Sequence, residues 1–448
     1  MAALVINTFA LHNYHAINLD VAFLTWAAEQ QLESQVYGSD IFDVSPPLCM
    51  LIYMPAVFIG HVTGTEWGIR LWFMCLALLS TLALWHSADK QLRLPLCIVF
   101  VAFLTLAYPY QLAQREQIAF VLCAPYIAGG SPGRKGAVLN GVMAGIGFML
   151  KPHFLIPLVL VVALRRRFGI EERAFLASGM AYAVILLVFF RDYVFEVVPA
   201  AAATYWAIGF PWTVKLVQGA FLVAVLGAMA VIAWPQRSSR PWLAAAAGFT
   251  AAGLLQNKGF LYHFIPAFGF LALFLVSVLA APRRFVAISA AVFLLAQIMF
   301  HIAQVRAWFT YGMEPEEFRA ALREEIGNSS SFITLGVDTG NVHVIAMPFQ
   351  SRYLGTAISQ VFIPAVASHA NGAGRGNVES AERLAMNQAL RELRRQPETV
   401  IVAENYQPAG QGVFNLLDWY KKNEEFRTLW SSYRLDRTVG PISFYRRK

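Results

Sequence analysis

Charged side chains are scarce in this sequence. Asp, Glu, Lys and Arg make up 14% of the 448 residues against 57% hydrophobic, and the mean hydropathy is +0.51. A soluble domain carries about 25% charged residues, so the composition argues against a purely soluble chain and for an α-helical polytopic membrane protein. Cysteine is scarce as well. Cys49, Cys75, Cys97 and Cys123 are the only four; they lie in or beside apolar runs at spacings unlike a metal site, so each is expected to be a small buried hydrophobe without a disulfide framework. A Walker-type phosphate loop, a dinucleotide-binding glycine pattern, HExxH and CxxC are all missing, which leaves soluble nucleotide chemistry without a seat. No internal repeat is visible, and that weighs against a transporter built from inverted halves.

What is present is a series of apolar runs near the length of about twenty residues that crosses a bilayer. They cover 46–63, 67–86, 94–110, 117–130, 136–150, 152–164, 174–190, 213–234, 241–256, 264–281 and 285–305. The start, MAALVINTFALH, has no basic n-region and reads as a short or incomplete first membrane helix, not a removable signal. That makes eleven or twelve segments. Charge divides unevenly: residues 1–305 hold 18 Lys+Arg and 12 Asp+Glu, whereas 306–448 hold 17 and 15. The expected organisation is therefore a multi-pass membrane domain, 1–305, with an acidic first outer loop at 13–45, followed by a water-exposed α/β domain, 306–448. Within the latter, 333–338 and 399–405 read as strands, 380–396 as a helix and 371–377 as a loop.

The net charge of +8 does not point to nucleic acid, because the basic residues sit in small clusters between apolar runs, as topology signals do. Lys90 with Arg93, Arg134 with Lys135, Arg165 to Arg167 with Arg173, Arg237 with Arg240, and Arg283 with Arg284 are each separated by two apolar runs. All five can face the cytoplasm at once. The loops 108–116, 151–153, 191–212 and 256–263, and everything after 305, then face outward. One segment breaks the alternation: with 13–45 outside, 46–63 must be re-entrant or a paired short segment.

Four stretches carry candidate chemistry. In 18–47, Leu19, Phe23, Trp26, Ala27 and Leu32 recur near helical spacing, which predicts an amphipathic helix lying along the membrane interface. Asp20 at its start either complements the helix dipole or serves as a general base, with Asp40 and Asp43 in support. Arg115 beside Glu116, near Tyr108 and Tyr110, reads either as half of an ion pair or as a forked donor to phosphate. In FMLKPHFLI (148–156), a lysine at mid-bilayer would cost on the order of 3 kcal/mol, so Lys151 and His153 are expected at an interface or wet cavity, at a proline-induced break between helices. In GLLQNKGFLYHFIPAF (253–268), Lys258, Tyr262 and His263 repeat that pattern. A helix after Gly259 would put Lys258 and Tyr262 on one face.

At these residues the chain resembles the GT-C superfamily of polytopic glycosyltransferases, in particular the bacterial branch of lipid A aminoarabinose transferases and protein mannosyltransferase-like proteins. The resemblance rests on Asp20 and its helix, VYGSDIFDVSPPL (36–48), QREQIAFVLCAPY (114–126), GIGFMLKPHFLI (145–156), KGFLYHFIPAF (258–268) and the ending at 420–447. It implies a GT-C-like membrane domain with a periplasmic or extracellular C-terminal α/β domain in the bacterial inner membrane. It implies transfer of a sugar from a polyprenyl-phosphate-linked donor to a lipid, glycan or protein acceptor, with inversion. Asp20 maps onto the family's acidic catalytic residue, and Lys151, His153, Lys258, Tyr262, His263 and Arg115 onto donor-phosphate binding. Only about a dozen residues precede the loop, where the family has a full helix, and Asp20 is flanked by Leu19 and Val21 where many members have a second acid. No cofactor is required by these residues, and a divalent metal stays open. The alternative function is a non-catalytic flippase or export component for lipid-linked glycans, or a degenerate scaffold.

Overall fold

The computed structural model describes residues 17–107, 111–130, 133–166, 168–209, 212–233, 238–279, 316–337, 352–408 and 410–448, with 339, 342 and 344. The expected first helix, the run 285–305, and Tyr108 and Tyr110 lie outside the described residues. The chain is mostly helical. In order, the helices used here are α1 (Leu19–Leu32), α2 (Met54–Thr63), α3 (Thr65–Ser87), α4 (Arg93–Ala102), α5 (Arg115–Ala128), α6 (Arg134–Met149), α7 (Leu155–Arg165), α8 (Ile170–Phe189), α9 (Val198–Thr204), α10 (Trp212–Ala233), α11 (Arg240–Leu255), α12 (Ile265–Leu279), α13 (Glu316–Gly327), α14 (Ile363–Ala370), α15 (Glu379–Arg394), α16 (Leu416–Tyr420) and α17 (Glu424–Trp430). Every apolar run within the described residues is helical. Among the described residues four helical spans are long and apolar enough to cross a bilayer: Thr65–Ser87, Ile170–Phe189, Trp212–Val231 and Leu261–Val278. The run 46–63 divides into short helices, Leu48–Leu51 and Met54–Thr63.

The residues fall into two compact units, 51–185 with 209–308 and the residues before 19, and 19–50 with 186–208 and 309–448. The second unit thus draws in two stretches from within 1–305.

In the first unit α5 is the axis. Every residue from Arg115 to Ile127 is buried, as expected of a helix apolar nearly all round and enclosed by others. Aromatic rings fill the space beside it: Phe120 meets Phe270 at 4.9 Å, Phe270 stacks on Phe249 at 5.4 Å, and Phe249 stacks on Phe148 at 6.1 Å. The negative end of the α5 dipole is answered by Arg165, whose guanidinium donates to the carbonyls of Tyr126 and Ile127 and lies 4.5 Å from the Tyr126 ring. Glu171 and Glu172 stand 3.7 and 3.9 Å from the same guanidinium, and Tyr126 donates its hydroxyl to Glu172 at 3.0 Å. Arg165, expected to mark a cytoplasmic loop, has a buried side chain that clamps a helix end. Cys49, Cys97 and Cys123 are buried as expected, whereas Cys75 is exposed.

Small residues let α6 and α8 approach closely. A Cβ on Gly141 would lie 2.3 Å from the Glu171 carbonyl oxygen, and one on Gly145 would lie 3.0 Å from Ser178 Cβ, the small-xxx-small seam that brings helix backbones together.

The second unit carries a five-stranded sheet. Its strands are β1 (Ser331–Leu335), β2 (Arg352–Tyr353), β3 (Thr399–Ala403), β4 (Tyr433–Val439) and β5 (Ile442–Arg447), in the order β2-β1-β3-β5-β4. β1 pairs in parallel with β2 and β3, and β5 pairs antiparallel with β3 and β4. Leu322 and Ile326 of α13 pack with Phe332, Ile401, Ile442 and Phe444 as its core. The expected strands, and the helix placed at 380–396, occur within two residues of their expected starts. The helix expected within 18–47 occurs as α1, but without the one-sided apolar stripe expected of it. In α1, Val21 to Thr25, Ala27 and Ala28 are all buried, so burial runs round the helix and not along one stripe. Trp26 meets the Tyr353 ring edge-on at 5.3 Å, while Leu32, expected on the covered face, is exposed.

Substituting Gly141→Val is expected to destabilise the chain by about 2 kcal/mol or more through overpacking, read as a lower unfolding temperature in detergent. Gly227→Ala, on α10 with nothing within 4 Å of its Cβ position, should leave that temperature unchanged.

Candidate functional site: a cationic cluster in the helical unit

The KPH stretch breaks the helix as its proline dictates. A residue before proline is pushed out of the helical region, and Lys151 is extended at φ −143°, ψ 139° between α6 and a 3-10 turn, Pro152–Phe154. Its side chain turns inward. The ammonium donates to Glu116 Oε1 at 2.5 Å and to Gln256 Oε1 at 3.0 Å. The rings of Phe154 and Tyr262 lie 6.0 and 5.9 Å from it. Glu116 is fully buried and Lys151 nearly so. The partner of Glu116 is therefore a lysine 35 residues further on, supplied by the helix break.

The start of α5, which carries Arg115 and Glu116, is held by buried amides. Asn18 donates to Gln111 Oε1 at 3.2 Å and accepts from Gln114 at 3.3 Å. Gln114 caps the helix by accepting from the Arg115 amide at 3.1 Å. Ala113 adopts φ 62°, unfavourable for a non-glycine residue. It is pinned there by its own amide donating to Gln117 Oε1 at 3.0 Å and by Tyr53 donating to its carbonyl at 2.7 Å.

The third strand of the site is 256–263. Lys258 lies in the loop after α11, outside the short 3-10 turn Leu261–Phe264, so it does not share a helix face with Tyr262 as expected. Tertiary folding gathers the residues instead. Tyr262 and His263 rings are 4.4 Å apart edge to face, and Phe260 stacks on Tyr262 at 5.7 Å. Lys151, Lys258, Arg115 and His153 all lie near enough to His263 to act on it electrostatically. His263 is buried and its Nδ1 has no hydrogen-bond partner among the described residues, nor does Glu116 Oε2. Five of the residues expected to bind donor phosphate thus lie within electrostatic or ring-contact range of the sixth, His263, and Lys151 among them is engaged by Glu116. Such a cluster can hold an anion, and it offers oriented donors at a buried position.

The carboxylates expected to act with Asp20 belong to the other unit. Asp20 is half-buried in the first turn of α1. Asp40 accepts from Arg395 at 2.6 Å and from the Val36 amide at 3.1 Å, and Asp43 accepts from the Ser45 amide at 3.1 Å. Tyr37 closes the loop by donating to the carbonyls of Asp43 and Ser45. Asp40 therefore ties the acidic loop to the end of α15. A further tie runs through Glu392, fully buried in α15. Its Oε1 accepts from the amide and hydroxyl of Thr356, both at 2.7 Å, and the Thr356 carbonyl accepts from the Phe42 amide at 2.6 Å. Burial outweighs these bonds and holds the Glu392 carboxyl above its ordinary range. Among the described residues no three His, Cys, Asp or Glu side chains are grouped to hold a metal ion.

Sequence reasoning missed Asn18, Gln114, Gln117 and Gln256, and did not foresee Lys151 as a partner of Glu116. The available signal was polar amides placed at the ends of apolar runs. No protein-family model, curated protein or solved structure matches the chain.

Removing one member of a buried ion pair leaves an uncompensated charge, at about 3–5 kcal/mol. Glu116→Gln and Lys151→Met should each lower thermal stability strongly, while the double variant recovers much of the loss; additive losses in a double-mutant cycle would contradict the pairing. For Glu392 the folded pKa lies above the unfolded one. Its contribution is thus fully present below the unfolded value and is lost as pH rises through the folded one. Across pH 4.5–8, unfolding temperatures of the full chain should fall less steeply in Glu392→Gln than in the parent, with the difference growing toward high pH.

Proposed function

We propose that this chain is a multi-pass membrane glycosyltransferase that moves a sugar from a polyprenyl-phosphate donor to an acceptor hydroxyl, with inversion, at the outer face of a bacterial inner membrane. The observation that carries this reading is that Arg115, Lys151, His153, Lys258 and Tyr262, from three separate stretches, lie within electrostatic or ring-contact range of the buried His263. Four long apolar helical spans and the resemblance in the motifs that hold these residues support it. In the membrane, eleven or twelve segments would carry the site, and the α/β unit with its acidic loop would face outward toward a lipid, glycan or protein acceptor.

The chemistry follows from charge. Asp20 takes the proton of the acceptor hydroxyl, whose oxygen attacks the anomeric carbon. The bond from that carbon to the phosphate oxygen breaks, and its electron pair leaves with the polyprenyl phosphate. The leaving group is a stable anion and needs no proton, so the demand is for positive charge where its negative charge develops. Arg115 and Lys258 supply it. His153, Tyr262 and His263 orient the phosphate, and the buried His263 Nδ1 gains a partner when ligand arrives. Lys151 shapes the pocket, because its ammonium is engaged by Glu116 and Gln256.

Sugar transfer from a polyprenyl-phosphate donor in proteoliposomes tests the reading. Asp20→Asn should lower turnover by about 10²- to 10⁴-fold, the usual contribution of a general base. Unchanged transfer in both Asp20→Asn and Asp43→Asn would overturn the mechanism. Movement of a fluorescent lipid-linked sugar across the bilayer without a new glycosidic bond would assign the chain to export.

A further inference from the structure

Lys258 sits in a turn whose backbone is left-handed on both sides. Asn257 adopts φ 53° and Gly259 adopts φ 76°, and left-handed backbone at a non-glycine residue persists only where its surroundings hold it. The hold comes from α10. Lys215 donates its ammonium to the Asn257 carbonyl at 3.0 Å, and Gln218 donates its amide to the Gly259 carbonyl at 3.1 Å. Lys215 and Gln218 are three residues apart, so they share one face of the helix. A third contact comes from just before α10. Gly209, at φ 135°, lies so close that a Cβ there would stand 2.7 Å from both the Cα and the carbonyl oxygen of Lys258, which only glycine permits.

These polar groups stand out against their helix. Lys215 is the one charged residue of α10, which otherwise reads WTV-LV-GAFLVAVLGAMAVIA around Lys215 and Gln218 and exposes Leu216, Val217, Phe221 and Val223. An ammonium in an apolar span is costly to place, and here it is placed on the carbonyl next to a second lysine. Backbone carbonyls on either side of Lys258 are both occupied, its Cα is packed against Gly209, and its half-buried side chain lies within electrostatic range of His263.

Resting on the donor-phosphate reading above, we propose that Lys215, Gln218 and Gly209 are positioning residues that fix the 257–259 turn so that Lys258 meets the phosphate of a prenyl-phosphate ligand. Lys215 and Gln218 act through the turn and do not touch the phosphate. The recognised chemistry is a phosphate monoester or diester dianion or monoanion, carried either by a prenyl lipid or free in solution.

The test is equilibrium binding to the full chain in nanodiscs of neutral lipid, with short-chain prenyl phosphate, the matching prenyl alcohol and inorganic phosphate as separate titrations. Prenyl phosphate should bind the parent chain. Lys258→Met, Lys215→Met and Gln218→Leu should each raise its Kd about tenfold, the scale of a misplaced charge-assisted contact, and Lys215→Arg, which keeps the donor to Asn257, should restore binding. Binding of the alcohol should not change in any variant. Displacement of the lipid by inorganic phosphate would place recognition in the phosphate alone, with the positioning role intact. If Lys258→Met weakens binding while Lys215→Met and Gln218→Leu bind as the parent does, the positioning role is wrong and the phosphate reading stands. Equal loss of alcohol binding in these variants would also overturn it, as a general structural effect. A parent chain that binds neither phosphate would overturn both.

Discussion

The helical unit is organised by one buried ion pair. A lysine and a glutamate taken out of water each cost several kcal/mol, recovered only where geometry and further hydrogen bonds are good. Lys151 meets this condition by placing its ammonium between Glu116 and Gln256. That single requirement brings together the start of α5, the break between α6 and α7, and the end of α11. Arg115, His153, Lys258, Tyr262 and His263 lie within a few residues of those three points, so the cationic cluster is a consequence of how one charge is satisfied. The buried amides around Ala113 serve the same end, since they hold the backbone that carries Glu116.

The other unit shows a parallel device with a neutral emphasis. Glu392 is buried with no ion-pair partner at hydrogen-bonding distance among the described residues, and the bonds it accepts from Thr356 organise the segment that receives Phe42. With Asp40 on Arg395 and Tyr37 packed against Phe190 and Tyr193, residues 36–45 are built into the α/β unit as a structured loop. Asp40 is thereby committed to holding that loop, and Asp20 keeps the base role under the proposed chemistry.

Much of the fold was legible. Each apolar run within the described residues became a helix, and the KPH break fell where the proline placed it. The strands at 331–335 and 399–403 were readable from their β-branched runs, and the two Lys/His loops, paired in the sequence by their repeated pattern, are neighbours in space, with the Lys151 ammonium 5.9 Å from the Tyr262 ring. Other features were not legible, for identifiable reasons. α1 carries a helical spacing of apolar residues, yet its small residues Ala22, Ala27 and Ala28 allow neighbours on every side, and no pattern along one helix reports what packs against it. Arg165 belongs to a cluster of arginines that reads as a topology signal, and only the position of the α5 carboxyl end turns it into a clamp. Lys215 was overlooked because one lysine near the start of an apolar run is ordinary.

The sequence by itself determined the helices, the break at Lys151 and the residue types available for chemistry, because apolar length, proline sterics and side-chain charge are local properties. Tertiary structure alone decided that Glu116 answers Lys151 across 35 residues, that Gln256 joins them from 105 residues away, and that Lys215 and Gln218 grip the turn of Lys258. A buried polar group must find its partner wherever packing delivers one, and that place is set by how helices cross, not by spacing along the chain.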